Sequence, residues 1–138
     1  MYIINMEDKE HISIKNSAAI LLLSVANADN TIEKEEIKSI KDIIQDFFSL
    51  EKEETYAIVQ NAIKELKESV SFFKYGQILN QNFTYQDKID FICCVFEVAY
   101  ADKELHFKEQ YLIKQISGIL NVEHQDLIKA KLEIKKYL

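Results

Sequence analysis

An all-α fold in a single domain is predicted by three features: apolar residues recurring at helical spacing, almost no helix breakers, and an internal duplication. The chain has 138 residues, no proline and two glycines, Gly76 and Gly118. With so few breakers, helices must be delimited by their caps and by changes in apolar period. Strand-like alternation is absent throughout. One domain of this length buries roughly two-thirds of its unfolded surface, enough for a core without disulfide or metal staples.

Seven helices follow in order. The first, about 15–28, is apolar nearly all round and keeps one narrow polar stripe, Ser17 and Ser24. The second, about 33–48, carries Ile37, Ile40, Ile43, Ile44 and Phe47 on one face, the stripe of an amphipathic helix. The third, about 51–68, starts on the solvated run Glu51-Lys52-Glu53-Glu54 and continues with Tyr56, Val59, Ile63 and Leu66. A fourth connects at about 70–80. The fifth, about 85–101, opens with Thr84 and Asp87, which resemble a capping box with aspartate in place of glutamate. It too is apolar nearly all round, with Asp90 and Glu97 as its polar stripe; sharing that stripe with Asp90 favours exposure of Glu97. The sixth, about 107–120, has Leu112, Ile113, Ile116, Ile119 and Leu120 on one face, and the seventh covers about 123–136. The first and fifth should be central, with Leu22, Val25, Ile40, Ile43, Val95, Val98, Ile113 and Ile116 forming the core between the halves.

The segment Val25-Ala26-Asn27-Ala28-Asp29-Asn30-Thr31-Ile32-Glu33-Lys34-Glu35-Glu36 aligns with Val98-Ala99-Tyr100-Ala101-Asp102-Lys103-Glu104-Leu105-His106-Phe107-Lys108-Glu109. Asp29 falls on Asp102, Glu36 on Glu109, Ile40 on Ile113 and Phe47 on Leu120, all at a displacement of 73. The serine stripe of the first helix falls on the acidic stripe of the fifth by the same shift. After a one-residue gap, Leu50-Glu51 falls on Val122-Glu123. The expected organisation is therefore two helix–acidic turn–helix repeats, about 16–60 and about 84–136, joined by a connecting segment at about 61–83. Such a duplication predicts pseudo-two-fold packing.

Each turn reads V-A-x-A-D-x-x-[I/L]-x-x-x-E. The spacing from aspartate to aliphatic residue to glutamate matches the second half of an EF-hand loop, where both acids supply hard oxygen ligands to calcium. The first half is missing. Val25 and Asn27, then Val98 and Tyr100, stand where the earliest acidic ligands belong, and Asn30 and Lys103 replace the usual glycine. A complete EF-hand is excluded.

With its duplicated A-x-A-D-x-x-[I/L]-x-x-x-E turn in a short helical chain, the sequence resembles the TerB family of tellurite-resistance proteins over roughly residues 15 to 135. The resemblance implies a seven-helix fold with internal two-fold symmetry, no established catalysis, divalent-metal binding, and a place in stress-response assemblies, some of them membrane-associated. The positions it carries over as metal ligands are Asp29, Glu36, Asp102 and Glu109. The competing reading of these acids is structural. A glutamate three residues into a helix can fold back onto the N-cap N–H, and its charge suits the helix's positive end. An aspartate in a turn can accept nearby backbone N–H groups. Here the caps would be Glu33 and His106.

Composition narrows the function further. The net charge is −6 and every basic side chain is lysine. Without arginine's planar fork or a lysine cluster, nucleic acid is not an expected partner. The adjacent Cys93 and Cys94 point about 100° apart on a helix, which suits neither a disulfide nor a shared metal, so core packing is expected. The N-terminus has no signal-peptide pattern, and neither Ala18–Ala28 nor Phe91–Ala101 is long enough to span a membrane. A cytoplasmic location is the expectation, with any membrane association running through partners. No nucleophile–base pair, phosphate-binding glycine loop or zinc pattern is present. His11, His106 and His124 are scattered, and His106 reads as a surface or capping residue. The expected function is a non-enzymatic cytoplasmic module that binds or senses a divalent cation at its paired turns. Carboxylate oxygens favour calcium, magnesium or manganese. The alternative is a protein-interaction domain whose acidic turns are structural.

Overall fold

Seven helices appear in the computed structural model, which describes residues 6–28, 32–67, 72–101 and 105–138, with side chains from Ile14 on. They are α1 (Met6–Ala26), α2 (Lys34–Phe48), α3 (Lys52–Leu66), α4 (Phe72–Asn82), α5 (Tyr85–Ala99), α6 (Phe107–Ile119) and α7 (His124–Lys135). No strand occurs among the described residues. The sequence placed the start of the first helix near residue 15; α1 begins at Met6 instead. Residues 6–14 carry no apolar stripe to announce a helix. They also carry no breaker, and glutamate and lysine extend a helix at little cost.

The all-round apolar helices are the buried ones. From Ala18 to Val25 every side chain of α1 except Ser24 is fully buried, and Phe91, Ile92, Val95, Phe96, Val98 and Ala99 of α5 join the same core. All eight residues expected between the halves are buried. α1 packs mainly against α3 and α4 and also touches α2, α5 and α6, whereas α5 packs mainly against α7. A cluster of Phe47, Phe83 and Phe91, with ring centroids 5.5–6.0 Å apart, ties the end of α2 to the start of α5. Such offset and edge-on aromatic contacts add to what area burial alone supplies.

One expected face is shifted. Tyr56 is exposed, with the Lys41 ammonium 4.9 Å from its ring centre, while Thr55, Val59 and Ala62 supply the buried edge of α3. Cys93 and Cys94 are half-buried against the core rather than within it. Burial pushes both thiols up, Cys94 to about 12, which disfavours the thiolate form.

Polar ties complete the packing. The Glu65 carboxylate accepts from Asn16 Nδ2 at 3.1 and 3.2 Å and from Tyr75 Oη at 3.0 Å, joining α1, α3 and α4. In the other half Tyr85 Oη donates to Asp126 at 2.5 Å and accepts from the Glu123 N–H at 3.1 Å, joining α5 to α7.

Candidate metal site at the acidic turns

The two turns are entered and left by matching backbone. α1 closes with N–H bonds from Asn27 to Leu23 O (2.9 Å) and from Ala28 to Val25 O (3.1 Å). α5 closes with the equivalent bonds, Tyr100 to Phe96 O (2.8 Å) and Ala101 to Val98 O (3.2 Å). On the far side, the N-caps of α2 and α6 are Glu33 (φ −78°, ψ 156°) and His106 (φ −76°, ψ 153°). Both are extended, as an N-cap requires. The far ends of α2 and α6 correspond as well, at the displacement of the one-residue gap. Ser49 (φ 54°) and Asn121 (φ 56°) are left-handed, and the next N–H returns to Gln45 O at 2.9 Å in one copy and to Ser117 O at 3.0 Å in the other. That closure satisfies carbonyls a helix end would leave open.

Glu36 and Glu109 each stand at the third position of their helix. Glu36 Oε1 accepts from the Glu33 N–H at 3.0 Å, and Glu109 Oε1 accepts from the His106 N–H at 3.0 Å. Both carboxylates are thus turned back over the helix N-terminus toward the turn, where the backbone dipoles favour negative charge. They differ in cover: Glu109 is buried and Glu36 half-buried. The remaining two expected ligands, Asp29 and Asp102, lie outside the described residues. Among the described residues no three His, Cys, Asp or Glu side chains converge on a common point. The donor set suits a hard cation: carboxylate oxygens, no thiolate, and His106 placed at the cap. Thr84 and Asp87 open α5 in the same style, with Thr84 N–H donating to Asp87 Oδ2 and Asp87 N–H to Thr84 Oγ1, both at 3.1 Å. A reaching-back acid at the third helical position is therefore a recurrent local device of this chain.

Residues 15–132 match the family model described as tellurite resistance protein TerB. The chain belongs to the TerB family. Neither a curated protein nor a solved structure matches it. Membership makes it a tellurite-resistance-related module. Among the described residues of this TerB chain, no helix is long and apolar enough to cross a membrane.

Proposed function

We propose that this TerB chain is a non-enzymatic module that holds or senses a divalent cation at its two acidic turns. The observation that carries the reading is the identical placement of Glu36 and Glu109. In both copies the carboxylate is fixed 3.0 Å from the N-cap N–H, seven residues along the chain from the paired aspartate. A ligand held before the ion arrives loses less freedom on binding. Two carboxylates per turn are few, so affinity is modest unless both turns serve one ion.

The same hydrogen bonds favour a second reading, a protein-interaction domain whose turns are purely structural. The two differ in what a cation does. If the acids are ligands, aspartate and glutamate repel each other in the metal-free protein. Removing one then leaves stability nearly unchanged in chelator and abolishes stabilisation by cation. If they are caps, Asp29→Ala costs about 1 kcal/mol in every buffer, and Glu36→Gln is mild because glutamine completes the same box.

The measurement is a melting series of wild type, Asp29→Ala, Glu36→Gln, Asp102→Ala and Glu109→Gln, in chelator and in millimolar calcium, magnesium or manganese. Cation at ten times its Kd stabilises by about 1.4 kcal/mol, which raises the wild-type Tm by roughly 3–6 °C. The rise should be larger with calcium or manganese than with magnesium. Equal melting in chelator and in every cation would end the metal reading and leave the interaction domain.

A further inference from the structure

Helix α4 lies against α1 and α6. The approach is close: a Cβ added to Gly76 would sit 2.6 Å from Ile119 Cγ2. By the displacement of 73, α1 corresponds to α5 and α6 to α2, so the place equivalent to α4 is the angle between α5 and α2. Among the described residues no helix fills it. A groove of about 280 Å³ opens there, lined by Ser39 of α2, Glu97 and Tyr100 at the end of α5, Ile134 of α7, and Tyr137 and Leu138.

The walls of this groove differ in chemical character from the covered ones. Leu112, which lies beside Phe72 and Phe73 of α4, corresponds to Ser39 of the groove, and Ile119 corresponds to Asp46 near its rim. Ser24 and Asn27 correspond to Glu97 and Tyr100. Partial desolvation of an otherwise exposed side chain, then the nearby Asp46 charge, holds the Glu97 carboxyl above its ordinary range. Among the described residues neither Asp46 nor Glu97 has a hydrogen bond or an ion pair to offset that repulsion. Beside them are apolar surfaces: Tyr100 and Ile134 line the wall, and Tyr137 and Leu138 stand exposed at 79% and 55%.

We propose that this groove docks an amphipathic helix of another protein, one that brings a lysine or arginine to Asp46 and Glu97 and apolar residues to Tyr100, Ile134 and Tyr137. In the covered half an 11-residue helix of the chain occupies the equivalent place. Glu97 in the groove wall, with the Asp46 charge near it and no ion pair to either among the described residues, selects a basic segment and repels an acidic one. A second copy of this chain, at a net charge of −6, is the poorer fit. The inference does not depend on a cation at the acidic turns.

The probe is a side-chain-stapled 11-residue peptide, the length of α4, with leucines on one face and two lysines at its centre. Its control carries glutamates at the same two positions. Amide NMR of the full chain should show saturable shifts at residues 39, 46, 97, 100 and 134 with the lysine peptide and none with the glutamate peptide. The double variant Asp46→Asn/Glu97→Gln, folded by its own spectrum, should bind the lysine peptide roughly three- to tenfold more weakly. Added salt should weaken the wild type toward the variant. The proposal fails if millimolar lysine peptide leaves these amides unmoved, if both peptides act alike, or if the variant binds as tightly. It also fails if the same amides shift with protein concentration alone, which would make a second copy the occupant.

Discussion

At the displacement of 73, α5 aligns with residues 12–26 of α1, yet the two helices meet different surroundings. α1 is covered by both α3 and α4, and its polar stripe goes under with it: Ser17 is 0% exposed and its hydroxyl has no partner among the described residues, while Ser24 Oγ donates back to Ile20 O at 2.8 Å. α5 packs mainly on α7, among the described residues no helix stands to it as α4 stands to α1, and its equivalent residues, Asp90 and Glu97, are exposed. The small hydroxyls lie on the helix that α3 and α4 both cover, and the carboxylates lie on the more open one. Desolvating a serine costs far less than desolvating a charge, so the asymmetry of cover is matched by an asymmetry of side chain.

The equivalence of the halves is tested hardest in the shared core. Ile40 and Ile113, 0% and 2% exposed, hold corresponding places. Ile40→Ala and Ile113→Ala should each cost about 2–5 kcal/mol, and by similar amounts, in denaturant unfolding. A loss below about half a kcal/mol at either site would show that the two helices do not bury the same face.

Next in size is the helix that only one half possesses. Gly76→Ala should cost about 1–3 kcal/mol, because the added methyl must displace Ile119 and with it the seat of α4. Gly118, also helical, has open space around an added Cβ. Gly118→Ala should stabilise by about 0.5–1 kcal/mol through helix propensity. If both substitutions move the midpoint in the same direction, α4 is not held by close approach to α6.

The stripes themselves carry the smallest effects. Ser17→Ala removes a buried hydroxyl with no partner and should be neutral or raise stability by up to about 1 kcal/mol. Glu97→Gln should raise the Tm slightly at pH 7. Glu97 has a folded-state pKa above its ordinary value of 4.5, so the folded chain holds that proton more tightly than the unfolded chain. Its ionisation penalty is absent below the unfolded pKa and complete above the folded one. The advantage of the glutamine variant should therefore shrink as pH falls through that window. An advantage that persists unchanged at low pH would show that the substitution acts by packing.

Much of this was legible in the residues. The acids at the third position of α2 and α6 were readable because capping is a local relation, decided within one helical turn. The same locality explains why capping and ligation could not be separated there, since both place a carboxylate over the turn. Glu97 was readable as exposed only through its partnership with Asp90. The groove it lines was not readable at all, because Ser39, Glu97 and Ile134 lie on three helices far apart in the chain. Tyr56 misled because it continues an apolar period, although its ring packs under a lysine rather than into the core.

What the sequence by itself determined is whatever repeats within a turn or two of helix. That covers the seven helices, the caps at Thr84, Glu33 and His106, the two buried central helices, and the matching turn sequences at a displacement of 73. What only the tertiary structure decided is which copy of each repeated surface is covered. The burial of Glu109 against the half-burial of Glu36 and the open angle between α2 and α5 depend on contacts between distant segments. Apolar period and capping are settled by neighbours three or four residues away. Coverage is settled by helices far apart in the chain, here by α4, which lies against both α1 and α6.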